Sequence, residues 1–458
     1  MRVQLQLPIT LDFIKKAVNP IKASCQKNPL ISHICTDSRK VCQGDLFIPL
    51  PGERYNGEDY LHDAAKKGAY TLSKRFDLCD IMVKDTAAAL LDLASAYKKL
   101  FSLKETVAIT GSVGKSTTKN LARDIISLKY KVHATEGNYN NEIGVPMTIF
   151  SMPADTEVLI METGMNHSGE LHRISVCINP SLSVITKIGT SHIGHLGDRA
   201  GIAKAKSEIF DGMSVLKGLI PYNEPLLYGF ANTKTVSTLY PDADFYLSLL
   251  EDSSSISFDF SSESVTIKSA HLSACGGHIP ECLAFALAIA SEVGMGEADI
   301  KEALSRLKAE YLYPKIIKIG ELTVIDDSYN SSLESVICAL KTLSFRNESV
   351  KSALIGDILE LGAESARIHR TIGKLCKEAG LDKLYAYGDY SDTVANGAAD
   401  AGFSKEKIFI NKNTLSPKTT ARQIAENSIP GEVILFKASN KLKLSNIAEL
   451  IKNTDKDY

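Results

Sequence analysis

The sequence has no apolar run that approaches the roughly 18 residues needed to cross a bilayer. Near the N-terminus, Asp12, Lys15 and Lys16 interrupt the apolar stretch that a signal peptide would require. These absences argue against membrane insertion and against export. We therefore expect a cytoplasmic protein.

The sequence also lacks an excess of charge of either sign. Lys and Arg together number 52 and Asp and Glu 54, so the formal net charge is −2. Nucleic acids and anionic membranes attract proteins with a strong positive excess. The balance therefore gives no reason to expect nucleic acid as a partner.

The cysteines lack a pattern that would indicate a metal site or a disulfide framework. No two of the nine have C-x-x-C spacing. Scattered cysteines are typical of free thiols in a reducing compartment. We predict no zinc site.

The chain is long enough for several domains, and its pattern predicts an α/β fold. Its 458 residues exceed one typical core, and at roughly 100–200 residues per domain two to four domains are expected. Short apolar runs alternate with helical stretches, which predicts mainly parallel sheets covered by helices. These runs lie at 107–110, 158–161, 182–186, 322–325, 353–355, 384–387 and 433–436.

We divide the chain near residues 104 and 312. The prediction is a small N-terminal α/β domain (1–104), a central domain with a mainly parallel sheet (105–312) and a C-terminal Rossmann-like α/β domain (313–458). A helix is expected at 200–213 within the central domain.

The sharpest local signal is residues 110–117 (TGSVGKST), which lie between a predicted strand and a predicted helix. A phosphate-binding P-loop requires this context, because its backbone N–H groups and the helix N-terminus surround phosphate oxygens. Lys115 can reach the β- and γ-phosphates, and the Ser116 hydroxyl can bind Mg²⁺. The match is a variant, because Ile109 stands where the common pattern has a glycine. The residues expected to hold the nucleotide phosphates are Gly111, Ser112, Val113, Gly114, Lys115, Ser116 and Thr117.

Two residues downstream could hold a metal beside this loop. Glu162 ends a predicted strand, at the edge where open α/β sheets bind ligands. His192 follows the next strand, in a glycine-rich segment. Taken by itself, a loop histidine is more often hydrogen-bonded to backbone than bound to a metal. Likewise, Lys206 on a predicted helix would ordinarily be a solvated surface charge.

Several blocks, in order, resemble the Mur ligase family, most closely its D-alanyl-D-alanine-adding (MurF-type) members. The resemblance spans nearly the whole chain and is more specific than any single motif. Its blocks are 37–41 (DSRKV), 44–47 (GDLF), 110–117, 137–146 (GNYNNEIGVP), 162–170 (ETGMNHSGE), 188–192 (IGTSH), 203–210 (AKAKSEIF), 326–330 (DDSYN) and 356–362 (GDILELG).

The resemblance implies an activity and its cofactors. Members join D-alanyl-D-alanine to a UDP-linked muramyl tripeptide through an acyl phosphate, using ATP and Mg²⁺. A UDP-precursor domain, a central P-loop ATPase and a C-terminal amine-substrate domain are implied. We expect these two substrates as the partners, and a monomer.

The resemblance also implies roles for individual residues. Lys115, Glu162, His192 and Lys206 would be catalytic, and Ser116, Glu162, His192 and Lys206 would hold metal. Lys206 matches a lysine that is carbamylated in the family, which turns a cation into a metal-binding anion. Lys315 and Asp327 would contact the nucleotide. The residues that would contact the substrates are Ser38, Arg39, Asn138, Asn141, Tyr329, Asn330, Asp357 and Leu361.

The sequence departs from the family near the expected base pocket. Members carry Gly-x-His-Asn-x-x-Asn, but here Ile279 and Cys282 replace both asparagines, and Lys315 replaces an arginine. A purine would lose amide hydrogen bonds, and lysine lacks the planar fork of arginine. Two alternatives therefore stay open beside the ligase: a paralogue with another amine or carboxylate, and a non-catalytic nucleotide-binding regulator.

Overall fold

Three β-sheets follow one another along the chain, and each collects its strands from one continuous stretch. The computed structural model describes residues 1–25, 27–52, 56–75, 79–252, 255–273, 276–308, 312, 315–412 and 415–454. The sheets are mostly parallel, and helices connect their strands. This confirms the predicted α/β class, whereas the exact domain boundaries stay a prediction.

The first sheet has the strand order β1-β3-β4-β5-β6-β2 in the described part of the chain. Strands β3 to β6 run parallel, and β1 and β2 add antiparallel edges. Its strands are β1 (Arg2–Thr10), β2 (Lys22–Ala23), β3 (Leu30–Cys35), β4 (Leu46–Phe47), β5 (Tyr70–Ser73) and β6 (Ile81–Met82). Its helices are α1 (Leu11–Val18), α2 (Leu61–Lys66) and α3 (Thr86–Lys98).

The second sheet has the order β15-β14-β13-β12-β11-β10-β7-β9-β8 and is parallel from β8 to β13. Its strands are β7 (Glu105–Thr110), β8 (Val132–Ala134), β9 (Val158–Glu162), β10 (Leu182–Ile185), β11 (Gly218–Pro221), β12 (Thr233–Ser237), β13 (Phe245–Asp252), β14 (Ile256–Ser261) and β15 (Thr266–Leu272). Its helices are α4 (Lys115–Ile126), α5 (Gly144–Phe150), α6 (Glu170–Ile178), α7 (Ile193–Leu196), α8 (Arg199–Ser207), α9 (Ile279–Glu292) and α10 (Glu297–Arg306).

The third sheet has the order β16-β17-β21-β18-β19-β20, with only β16 antiparallel among its described strands. Its strands are β16 (Lys315–Ile319), β17 (Leu322–Asp326), β18 (Lys351–Gly356), β19 (Lys383–Tyr387), β20 (Ile408–Asn411) and β21 (Val433–Lys437). Its helices are α11 (Leu333–Ser344), α12 (Ser365–Glu378), α13 (Ser391–Asp400), α14 (Pro417–Asn427) and α15 (Ser445–Thr454).

The packing of the second sheet places the carboxyl ends of three strands together. Strand β7 lies between β9 and β10, and all five residues of β9 are buried. Parallel strands covered on both faces are expected to be largely apolar, and β9 is apolar up to Met161. Helices α4 and α9 share one core through side chains such as Leu121, Ile125 and Leu283. The segments that follow β7, β9 and β10 therefore meet at one edge of a rigid sheet.

The helix predicted at 200–213 is shorter in the structure, where α8 ends at Ser207. The Ser207 hydroxyl donates to the Ala203 carbonyl oxygen (2.8 Å), and a tighter turn follows. The Glu208 carboxylate accepts the N–H of Gly169 (2.8 Å), which ties the end of the helix to α6. No described helix has the length and apolar character that a membrane span requires.

Candidate active site

The phosphate loop joins β7 to α4, and two glycines give it its shape. Gly111 has φ +152° and Gly114 has φ +84°, a region that residues with side chains rarely adopt. A Cβ atom on Gly111 would lie 1.9 Å from Thr186 Oγ1, so no larger residue fits. Gly114 directly precedes α4, whose positive end and free N–H groups face the loop. The loop therefore has the form of an anion cradle.

Lys115 lies within this cradle. Its Nζ donates to the Gly111 carbonyl oxygen (2.7 Å). Burial lowers the pKa of Lys115, and the nearby Glu162 carboxylate opposes that shift. A lysine held against the loop is well placed to contact a phosphate chain.

Side-chain hydrogen bonds fix the cradle to the segment after β10. Ser112 Oγ accepts the N–H of Gly189 (2.9 Å), and Thr186 Oγ1 donates to the Val113 carbonyl oxygen (2.6 Å). Thr117 lies in the first turn of α4. The whole predicted loop is thus one structural unit with the neighbouring strand.

Glu162, at the end of β9, is 3% exposed and held by neutral donors. Ser116 Oγ donates to its Oε2 (2.8 Å), and Asn140 Nδ2 donates to its Oε1 (2.9 Å). The Glu162 N–H donates to Thr135 Oγ1 (2.9 Å). A carboxylate and a hydroxyl therefore lie together beside the cradle, and their role as metal ligands stays a prediction.

Two residues of this cluster, Asn140 and Lys119, were not predicted from the sequence. Asn140 orients Glu162, and buried Lys119 places its Nζ 3.7 Å from Glu162 Oε2 while donating to the Thr135 carbonyl oxygen (2.7 Å). Lys119 follows Lys115 by one helical turn, a spacing that puts both on one face of α4. That spacing could have identified Lys119, whereas Asn140 stood among other polar residues with nothing to single it out.

His192 lies beyond β10 with φ 64°, a left-handed conformation. Its Nδ1 is 2.7 Å from Glu360 Oε2, an acceptor that belongs to the third sheet. Burial lowers the pKa of His192, the cations Lys206 and Lys115 act in the same direction, and Glu360 opposes them. His192 therefore lies close enough to Lys115 and Lys206 for their charges to affect its pKa.

Lys206 is not a solvated surface charge. It is 2% exposed. Burial lowers its pKa well below the ordinary value, and Lys115 adds to that shift. A buried lysine of this kind is readily neutral, which makes its amine available for chemistry.

The residues around Glu162 fit a bound Mg²⁺. This ion is usually held by one or two carboxylates, water and the phosphates of a substrate. Ser116 and Glu162 supply a hydroxyl and a carboxylate beside the phosphate cradle. Within the described ranges, no group of three or more His, Cys, Asp or Glu is placed to bind a metal. The remaining ligands would therefore come from the nucleotide and water.

The segment expected at the base packs against the phosphate loop. Cys282 Sγ donates to the Gly114 carbonyl oxygen (3.7 Å), and burial raises the pKa of this thiol to about 12. Ile279 is fully buried at the start of α9. Both replacements for asparagine are therefore used in packing, and the thiol stays protonated at neutral pH.

Lys315 begins β16 of the third sheet, and Asp327 directly follows β17. Lys437 Nζ is 3.3 Å from Asp327 Oδ2, and burial raises the pKa of Asp327 and lowers that of Lys437. Lys315, at the start of β16, is exposed and lies 3.7 Å from Asp326 Oδ2. The contacts of Asp327 and Lys315 with a nucleotide stay predictions.

The four predicted substrate contacts of the third unit differ in exposure. Tyr329 and Asn330 are exposed, whereas Asp357 is 3% and Leu361 2% exposed. The Asp357 carboxylate accepts the N–H groups of Asp389 (2.8 Å) and Tyr390 (3.0 Å), which is a structural use. Only the first pair is freely available to a ligand in this arrangement.

The predicted contacts in the first half of the chain are mostly exposed. Arg39 Nε and Nη2 each lie 2.9 Å from the Asp37 carboxylate, which lowers the pKa of Asp37 to about 2. Ser38 is half-buried and Asn138 exposed. Asn141 Oδ1 accepts the N–H of Gly144, the first residue of α5 (2.8 Å).

Comparisons with known proteins show which family this chain resembles. The Mur ligase middle domain matches residues 109–289, and the Mur ligase family, catalytic domain, matches residues 30–74. The UDP-N-acetylmuramoyl-tripeptide–D-alanyl-D-alanine ligase of Bacillus subtilis is 33% identical over 96% of this chain and 97% of its own.

Solved structures of similar proteins cover the same length. MurF from Acinetobacter baumannii has a TM-score of 0.87 at 26% identity, covering 98% of this chain and 100% of its own. MurF from Thermotoga maritima, in complex with ADP, has a TM-score of 0.77 at 25% identity, covering 92% and 97%. The three-domain fold of these ligases is therefore the fold of this chain. On this evidence, and as its motifs predicted, the chain belongs to the Mur ligase family.

Proposed function

We propose that this protein is an ATP-dependent ligase that joins D-alanyl-D-alanine to a UDP-N-acetylmuramoyl-tripeptide in peptidoglycan precursor synthesis. One observation carries the proposal: an anion cradle, Lys115 and buried Glu162 meet at one edge of the central sheet. Relatives similar over nearly the whole chain bear this activity in their names, and a solved relative binds ADP.

The reaction has two steps. The peptide carboxylate attacks the γ-phosphorus of ATP. ADP departs as the leaving group, and an acyl phosphate forms. The amine of the dipeptide then attacks the acyl carbonyl carbon, loses a proton, and phosphate leaves. Lys115 lies where it can stabilise the charge on the transferred phosphoryl group. Mg²⁺, when bound, supplies further positive charge at the phosphate oxygens.

The proposal assigns metal ligands to two positions. Ser116 and Glu162 form the first, and His192 with Lys206 the second. Lys206 suits carbamylation, because burial lowers its pKa and so favours the neutral amine, the form that adds to carbon dioxide. The carbamate on Lys206 is an anion, so Lys115 would attract it, whereas Lys115 repels the Lys206 ammonium. Carbamylation adds the mass of one carbon dioxide to each modified lysine. The adduct is lost in acid, so intact mass is measured at neutral pH.

The substrate assignments follow the domain order. The UDP-muramyl peptide lies against Ser38, Arg39, Asn138 and Asn141, and the dipeptide near Tyr329 and Asn330. Asp357 and Leu361 shape that surface from beneath. Lys315 and Asp327 contact the nucleotide. The proposal also includes a monomer in the cytoplasm, divided at residues 1–104, 105–312 and 313–458.

The test is phosphate release measured with ATP, the UDP-tripeptide and D-alanyl-D-alanine. Release is expected only when all three are present, with one phosphate formed per UDP-pentapeptide detected by mass spectrometry. Lys129→Ala, at an exposed lysine paired with Asp299, serves as a control beside Lys115→Ala. No release with any amine, and an unchanged biological effect of Lys115→Ala, would indicate the regulator instead.

A screen of amines and of nucleotides completes the test. The buried Ile279 and Cys282 motivate the nucleotide series, because neither offers the base an amide. If another amine supports faster phosphate release than D-alanyl-D-alanine, the protein is a paralogue with the same chemistry. That result would leave the cradle assignment intact and remove the substrate assignment.

A further inference from the structure

His192 and Glu360 form a contact between two separate sheets. His192 follows β10 of the second sheet, and Glu360 follows β18 of the third. The imidazole Nδ1 lies 2.7 Å from Glu360 Oε2. His192, which has a proposed chemical role, is thus held by a side chain of another domain.

The backbone around this contact is fitted to it. The Gly194 N–H donates to the Glu360 carbonyl oxygen (3.0 Å), so Glu360 binds the His192 segment twice. A Cβ on Gly194 would lie 2.7 Å from the Glu360 carbonyl oxygen and 2.7 Å from the Gly362 N. His192 and Glu360 both have φ 64°, a costly conformation that surrounding structure must enforce. A chance encounter of two flexible side chains would need none of these features.

A second contact of the same junction lies nearby but does not involve the histidine. Thr190 Oγ1 donates to Glu334 Oε2 (3.1 Å). A Cβ on Gly189 would lie 2.7 Å from the Glu334 carboxyl carbon. Glu334 therefore joins the same two units at a different point, and it provides a matched comparison for Glu360.

The way in which histidine binds metal ions indicates a function for the contact between His192 and Glu360. An imidazole that binds a metal through one nitrogen usually donates its other N–H to a carboxylate, which fixes the ring and its tautomer. With Nδ1–H donated to Glu360, the lone pair of Nε2 is left for a ligand. Ring assignments follow from the hydrogen bond, because Glu360 as a carboxylate can only accept.

We propose that Glu360 is a positioning residue that orients His192 for metal binding only when the third domain is docked on the second. This proposal rests on the proposed function, since it assumes that His192 is a metal ligand. The second metal position is then incomplete in an undocked enzyme, whereas Ser116 and Glu162 need no such partner. Docking of the domain that carries the amine would thereby complete the site for the first reaction step.

The test compares Glu360→Ala, Glu360→Gln and Glu334→Gln in the full-length protein. Imidazole ¹⁵N spectra report the His192 tautomer, assigned by its loss in His192→Gln. Mn²⁺ binding in the presence of ADP is followed by electron paramagnetic resonance, and thermal melting checks folding. Phosphate release is measured over a range of Mg²⁺ concentrations.

Glu360→Ala is expected to lose the fixed Nδ1–H tautomer and to weaken the second Mn²⁺ by about 10- to 100-fold, as for other carboxylates that support a histidine ligand. Glu360→Gln, which keeps an acceptor oxygen, should recover part of the tautomer and of the affinity. Glu334→Gln should leave both unchanged, although it lies in the same junction.

Two results would overturn the proposal: an unchanged tautomer and Mn²⁺ affinity in folded Glu360→Ala, or equal effects of Glu334→Gln. Failure of the proposed function is distinguishable. If the unmodified protein does not ligate but its second Mn²⁺ still depends on Glu360, the positioning role stands and the ligase assignment falls.

Discussion

The two proposed metal positions differ in how they are built. Ser116 in α4 and Glu162 at the end of β9 belong to the unit built on the second sheet. They contact each other directly (2.8 Å). His192 is held by Glu360 across a junction between sheets. The first position depends on the packing of one domain, and the second on the docking of two.

This difference separates binding from turnover. A site formed within a single rigid sheet keeps its geometry whatever the third domain does. A site completed by docking changes with it, and domain closure commonly controls catalytic steps. Changes at the cradle should therefore affect nucleotide binding, and changes at the junction should affect turnover.

The largest effect is expected for Lys115→Ala. Loss of the ammonium that lies inside the cradle should reduce phosphate release by about 1,000-fold, at the upper end for a single group that stabilises developing charge. The measurement is steady-state phosphate release, with Lys129→Ala as the control. A loss below tenfold would mean that Lys115 does not contact the transferred group.

Gly111→Ala should be nearly as severe. Its Cβ would overlap Thr186 Oγ1 at 1.9 Å, so the loop must move and ADP affinity should fall by about 100-fold, roughly 2.7 kcal/mol. Calorimetric titration with ADP measures this. Gly402→Ala, at another glycine of positive φ (+87°) but with open space around it, is the control for a substitution without a steric clash.

Asn140→Ala should raise the Mg²⁺ requirement. The amide holds Glu162 Oε1 (2.9 Å), and loss of a group that orients a metal ligand typically costs about 10- to 100-fold in metal affinity. Phosphate release against Mg²⁺ concentration gives the shift. Asn427→Ala, whose amide donates within its own helix α14, should show no shift.

Gly194→Ala should reduce turnover by about tenfold, or 1.4 kcal/mol, without changing ADP affinity. The added methyl meets the Glu360 carbonyl oxygen at 2.7 Å and so obstructs docking while leaving the cradle untouched. Gly197→Ala, in the same segment with open space around it, is the control. If Gly194→Ala weakened ADP binding as much as it slowed turnover, the two metal positions would not differ in the proposed way.

The smallest effect on activity is expected for Asp357→Asn. Its carboxylate accepts two backbone N–H groups, so the free energy of unfolding should fall by about 1–3 kcal/mol. Urea unfolding measures this loss. An unchanged KM for D-alanyl-D-alanine would assign Asp357 a purely structural role, and a raised KM would support the predicted substrate contact.

The sequence by itself determined the family, the α/β class and the phosphate loop. The family follows from the resemblance of ordered blocks along nearly the whole chain. The α/β class and the phosphate loop follow from local patterns, because strand periodicity, glycines at a turn and a helix N-terminus act within a few residues of one another. The strands at 158–161 and 182–186 were found for the same reason and match β9 and β10 closely.

Only the tertiary structure decided the states of Lys206, Asn140 and Glu360. Burial, which turned Lys206 from a solvated charge into a site of lowered pKa, depends on elements far away in sequence. The His192–Glu360 contact joins residues 168 positions apart. Such pairs carry no local periodicity, and they exist only because domain packing brings separate strand ends to one place.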